Sequence, residues 1–141
     1  MTYKKSDWVW MPHAGHFICS HDCRFFLTTR VGGFIVSTVG EYLPDETVRE
    51  ITAKHQGVVL EGQGDARRAD FLKKIGYLEV GYGRKYETMV FVAKPSDNPC
   101  CPFMAASWDE HDFAGYMEPG DAYRGHLAMC EKWSGEDHAK A

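Results

Sequence analysis

The sequence predicts an α+β fold: an antiparallel sheet of about four strands packed against two helices, with a C-terminal helical extension. Three observations carry that expectation. Two alternating apolar runs flank Gly32-Gly33. A later run over residues 86–93 is apolar on both of its faces. Between them lie two stretches with the residues that start and stop helices.

The runs "RFFLTTRV" and "FIVSTV" predict a hairpin over residues 24–39, because a Gly-Gly pair tolerates the positive φ of a tight turn. With a two-residue loop, Phe25, Leu27, Val31, Phe34 and Val36 share one face, which should be core. "HFIC" upstream reads as a further short strand. Trp8 and Trp10, two residues apart, share one side of an extended segment. They are the first candidates for an exposed aromatic patch, against the alternative of a strand edge folded onto the body.

Pro44 suits a first helical turn, and Asp45 and Glu46 suit the positive end of the helix dipole. Val48 and Ile51 lie on one face of that helix, and Gly57 is its stop. "GVVLEGQGD" reads as a loop. Asp65 can then cap a second helix, "ARRADFLKKIG", with Phe71, Leu72 and Ile75 as its buried stripe. Gly76 takes the left-handed position after it, and Tyr77 folds back on Leu72. In "YETMVFVA", Tyr86, Thr88, Val90 and Val92 point one way and Met89, Phe91 and Ala93 the other, so this strand should be central.

"KPSDNPCCP" has three prolines in nine residues and reads as a loop. It divides a single domain into an α+β body, 1–94, and a stretch, 95–141, that holds a loop and a C-terminal helix packed on the body. That helix, "GDAYRGHLAMCEKWS", has Tyr123, Leu127 and Cys130 as its apolar stripe.

The 141 residues suit one domain with a real core, and 44% apolar residues argue against disorder. A net charge of −4 argues against a protein that coats nucleic acid by charge alone. No apolar run is long enough to span a bilayer, and Asp7 and Pro12 interrupt the start, so neither a membrane span nor a signal peptide is expected. Five cysteines, an odd number with Cys100 and Cys101 adjacent, fit reduced thiols in a cytoplasmic protein better than a disulfide framework.

Two groups of residues have the chemistry of a metal site, with zinc as the metal such donors take. "HAGHFICSHDC" puts His13, His16, Cys19, His21 and Cys23 within eleven residues. An extended strand would hold Cys19 and Cys23 about 13 Å apart, so the stretch is not expected to form a closed zinc site by itself. In the second group, His126 and Cys130 share a helix face four residues apart, and Cys100 and Cys101 on the Pro-bounded loop would complete four ligands. The competing reading makes Cys130 a small core residue and leaves His126 at the rim. Arg84, Lys85 and Tyr86, where a turn enters a strand, are candidates for binding a phosphate or a carboxylate, and His13 and His16 stand beside Arg84 and Tyr86 as candidate ligand-binding residues. Gly62 and Gly64 precede a helix start but lack the full phosphate-loop pattern.

"ADFLKKIGYLEVGYGRKYETMVF" resembles the end of a GNAT-type acetyltransferase, where a helix ends in Gly-aromatic and a strand follows. That family's acetyl-CoA loop has a Gln/Arg-x-x-Gly-x-Gly/Ala pattern. "GQGDARRADF" offers Gln63 and Gly64 at a different spacing, so no acetyl-CoA binding is expected at the helix start near Ala66. A second resemblance covers most of the chain. "WMPHAGHFIC", "GGFIVSTVGEY", "GRKYETMVF" and "GHLAMCEKW" together resemble a family of small proteins of tailed bacteriophages and prophages. That resemblance implies a phage origin and the host bacterial cytoplasm, without a mechanism. The expected function is an accessory protein that acts by binding a host or phage protein. The rival is an enzyme: a diverged acyltransferase, or a metal-dependent hydrolase using the His/Cys-rich N-terminal stretch.

Overall fold

The computed structural model describes residues 7–16 and 23–135. In chain order it contains β1 (Val9–Met11), β2 (Cys23–Val31), β3 (Phe34–Tyr42), α1 (Glu46–His55), α2 (Asp65–Lys74), β4 (Tyr86–Pro95), β5 (Phe103–Ala105), β6 (Asp112–Tyr116) and α3 (Pro119–Trp133). The architecture is α+β with an antiparallel sheet. It has more strands than the sequence predicts and a third helix with a larger role.

The hairpin turns at Gly32-Gly33, where Gly32 has φ 61° and Val31 pairs with Phe34. β1 pairs with β2, and β3 pairs with β4, giving the order β1-β2-β3-β4. β4 is central. His111 N–H donates to Val90 O and Ala106 N–H to Val92 O, and carbonyls two residues apart point to the same strand edge. β6 and β5 therefore follow one another along the edge of β4 that β3 leaves free. The register slips by four residues between the two pairings, taken up by the loop over residues 106–111.

One face of the sheet carries Val31, Phe34, Val36 and Val90, and α3 lies across it with Cys130, Leu127, Met129 and Trp133. Trp8 joins this cluster, while Trp10 is half exposed beside the His126 ring, at 5.4 Å between centroids. The buried stripe of α3 is Ala122, His126 and Cys130, and Tyr123 is exposed. The helix thus sits rotated from the predicted Tyr123–Leu127–Cys130 stripe. The reason is the floor beneath it. Thr29, Thr38 and Thr88 present hydroxyls there, and a histidine satisfies them where a leucine cannot.

The two middle helices do not cover a sheet face. They pack together at the end of the sheet around Leu43, Ala53, Leu60 and Phe71. Asp45 caps α1, accepting from Val48 N–H at 2.9 Å. Val48 and Ile51 face solvent, and Ala53 is the buried residue of that helix. Gly64, at φ 58°, precedes α2, which leaves Asp65 inside the first turn instead of capping it. Gly76 takes φ 92°, and its N–H returns to Phe71 O, with Tyr77 packed on the same cluster.

The second sheet face is built differently. Thr28, Ser37 and Met89 form one cross-strand row, and Arg30, Ile35 and Phe91 the next. The segment before residue 16 and the 103–108 stretch close over it. Cys19 and His21 lie outside the described residues, as does "HFIC" beyond His16. Among the described residues, no helix is long and apolar enough to cross a membrane.

Candidate metal centre

Two segments meet over this second face. The first is the loop over residues 96–102 between β4 and β5, closed at its neck by Ser96 N–H donating to Pro102 O at 2.8 Å. Inside it, Asn98 makes an Asx turn: its Oδ1 accepts from Cys100 N–H at 3.1 Å, and its backbone O from Cys101 N–H at 3.3 Å. The turn brings the two consecutive thiols to one corner, with the Cys100 thiol donating to Asn98 Oδ1 at 3.0 Å. The second segment carries His13. Its carbonyl accepts from the Thr28 hydroxyl at 2.5 Å, and Gly15 lies so close to the sheet that an added Cβ would stand 2.7 Å from Ser37 Cβ. Only glycine allows that approach, and the approach sets where His13 points.

His13 Nδ1 lies 3.1 Å from Cys101 Sγ and 3.6 Å from Cys100 Sγ, and all three donor atoms fall within 4.8 Å of one another. Bond lengths of 2.0–2.1 Å to nitrogen and 2.3 Å to sulfur put tetrahedral zinc ligands about 3.6 Å (N to S) and about 3.8 Å (S to S) apart. The two distances from His13, 3.1 and 3.6 Å, lie within about half an ångström of that spacing. Burial and the neighbouring Cys100 thiol raise the Cys101 pKa, since two thiolates side by side repel. A divalent cation between them removes that penalty. Among the described residues this is the group of three or more His, Cys, Asp or Glu side chains with ligand spacing.

Beside it opens a cavity of about 320 Å³. His13, Asn98 and Cys101 line one side, and Met11, Ile35, Phe103, Met104 and Trp108 the rest. Trp108 stands edge-on to Phe91, with centroids 5.5 Å apart, and the Arg30 guanidinium stacks on Phe103 at 4.3 Å. These contacts fix the apolar wall.

The four-ligand set of Cys100, Cys101, His126 and Cys130 does not assemble. His126 is fully buried, with Nε2 on Thr29 Oγ1 at 2.8 Å and Nδ1 on Thr38 Oγ1 at 2.7 Å. Both ring nitrogens are used inside the core, and burial lowers its pKa to about 4. Burial pushes the Cys130 thiol up to about 12, the wrong direction for a thiolate ligand or nucleophile. The loop half of that set instead joins His13 from the other candidate stretch.

His16, Arg84 and Tyr86 lie elsewhere. His16 Nδ1 meets Ser37 Oγ at 2.7 Å and its Nε2 meets Glu87 Oε1 at 3.3 Å, while Arg84 Nε donates to Glu87 Oε2 at 3.0 Å. Burial pushes the Glu87 pKa up, but the bonds from His16 and Arg84 outweigh it, and the carboxyl is held below its ordinary range. Ser37, His16 and Glu87 have the residue types of a hydrolytic triad. However, Ser37 is completely buried beneath Gly15, and none of the three lines the cavity. The network satisfies buried polar groups. Tyr86 donates to Glu41 Oε2 at 2.9 Å, and burial followed by that carboxylate raises its pKa. The Gly62–Gly64 loop turns carbonyls, Leu60 O at 2.7 Å and Gly62 O at 3.3 Å, toward the Arg67 guanidinium, a polarity opposite to that of an anion cradle.

Compared with protein-family models, with curated proteins and with solved structures, the chain matches none.

Proposed function

We propose that this chain is a small zinc-holding protein that acts by binding. The observation that supports this most is the meeting of His13 with Cys100 and Cys101, donors from two segments about 88 residues apart. Zinc at this corner ties the N-terminal segment to the β4–β5 loop and stiffens one rim of the cavity. The donors are two thiols and an imidazole, the set that selects zinc over magnesium or calcium. The buried state of Ser37 and Cys130 favours binding over nucleophilic catalysis. The resemblance of most of the chain to small phage and prophage proteins adds the host cytoplasm to this reading, and a host or phage protein is the partner we propose.

Elemental analysis of the purified chain tests the metal. The expected result is one equivalent of zinc, lost in His13→Ala and in Cys101→Ser and kept in Cys130→Ser. Zinc retained by both Cys100→Ser and Cys101→Ser, each folded by circular dichroism, would sink the proposal.

A further inference from the structure

The three donors found among the described residues leave one position of a tetrahedral zinc to a further ligand, and catalytic and ligand-binding zinc sites are built this way. Here two of those donors, His13 and Cys101, also line the cavity. We infer that the fourth position is filled by a thiol carrying an apolar body, which lies in the cavity against Met11, Phe103, Met104 and Trp108. This rests on the zinc reading above.

The class of ligand follows from what the cavity offers. Its volume of about 320 Å³ is at the lower end of small-molecule sites. At the roughly 30 Å³ that a water occupies in the liquid, it holds about ten non-hydrogen atoms. Its wall is aromatic and thioether, suited to an apolar body. Among the described residues, no lysine or arginine lines it. An anionic head must therefore be neutralised by the metal alone, through a single donor atom. A carboxylate brings a second oxygen that needs its own donor. Thr28 already donates to His13 O, so the side-chain donors left on the lining are the Asn98 amide, the Trp108 indole and the second ring nitrogen of His13. A thiolate has no such need, and its softness matches a site already holding two sulfurs. In the exchange, zinc-bound water leaves, the thiol sulfur bonds to zinc, and the thiol proton passes to solvent. No oxidant or reductant takes part.

The test uses the full chain loaded with cobalt(II), whose visible spectrum reports tetrahedral sulfur ligation. Phenylmethanethiol is titrated in, with toluene, phenylacetate and 2-mercaptoethanol as comparison probes. A blocked Phe-Cys dipeptide serves as a second thiol source. The expected result is stronger thiolate-to-cobalt absorption with phenylmethanethiol at micromolar concentration, and an affinity for 2-mercaptoethanol lower by about tenfold or more. Trp108→Ala should weaken phenylmethanethiol by about tenfold while leaving metal affinity unchanged, since the exposed Trp108 ring would be covered only when the ligand is bound. Tighter binding of the dipeptide than of phenylmethanethiol also supports the inference and identifies a cysteine side chain as the source. A cobalt spectrum that forms but does not respond to either thiol overturns the inference and leaves the zinc reading standing. So does a thiol that bleaches the spectrum by stripping the metal, or a response equal for phenylmethanethiol and 2-mercaptoethanol. No cobalt spectrum at all overturns both.

Discussion

The imidazole of His126 meets the hydroxyl of Thr38 at 2.7 Å, and Thr38 in turn meets Thr88 at 2.6 Å. A histidine on α3 thus plugs a row of threonines in the middle of the sheet. Its pKa falls from 6.5 to about 4 in the folded chain because burial disfavours the cation. Above pH 6.5 both folded and unfolded states carry a neutral ring. As pH falls, the unfolded chain takes the proton first, so stability is lost between pH 6.5 and about 4. The loss from this group alone is about 3 kcal/mol. Urea unfolding across that window should show the slope, and His126→Gln should remove it.

Glu87 is buried between His16 and Arg84. Removing one partner of a buried charged pair costs about 3–5 kcal/mol, because the other charge is left without compensation. Glu87→Ala should fall in that range by chemical denaturation, and Glu87→Gln should cost less because it keeps the shape and part of the hydrogen bonding. Since the folded pKa of Glu87 lies below its ordinary 4.5, its contribution is present above pH 4.5 and is lost as pH falls through the lower folded value.

Gly15 touches Ser37 with no room for a methyl group. Gly15→Ala should destabilise the fold by about 1–3 kcal/mol through overpacking. It should also weaken metal binding, because His13 lies two residues away on the same segment. Ser37→Ala added to Gly15→Ala should not restore either property, since the clash includes Ser37 Cβ at 2.7 Å. Competition with a colorimetric zinc chelator gives the metal affinity.

On the paired middle helices, Phe71 is fully buried and Ile51 is exposed. Phe71→Ala should cost about 3–5 kcal/mol and Ile51→Ala less than about 0.5 kcal/mol. Comparable losses at the two positions would contradict the orientation of α1.

The parts legible in the sequence were those whose local pattern matches their burial. The Gly32-Gly33 hairpin and the two-faced strand over 86–93 are of this kind. β5 and β6 were not legible. Phe103–Ala105 is three residues long, and "DFAGY" lacks β-branched residues, so each is a strand only because β4 offers an edge. The phase of α3 was missed because its buried stripe contains Ala122 and His126, residues chosen by the threonines opposite and not by hydrophobicity. Val48 and Ile51 marked an apolar face of α1 that the fold leaves open, since the helix turns Ala53 inward and Glu50 toward Arg67 of α2. At the candidate site, the two adjacent cysteines and His13 were each visible as ligand types. Their meeting was not, because it depends on Gly15 docking on Ser37, a contact between segments 22 residues apart.

The edge of β4 taken by β5 and β6, and the face taken by α3, are both covered by the last third of the chain. Asp112 on β6 accepts from Lys132 at 2.6 Å and from the Trp133 indole at 2.9 Å, which fastens that cover at its end. During synthesis, then, β2, β3 and β4 leave the ribosome with an unpaired edge and a bare valine-rich surface. The edge cannot close until residue 116 has emerged, nor the face until residue 133. The sheet is paired and covered only once α3 has emerged, and a nascent chain halted near residue 95 is expected to present both surfaces to a chaperone.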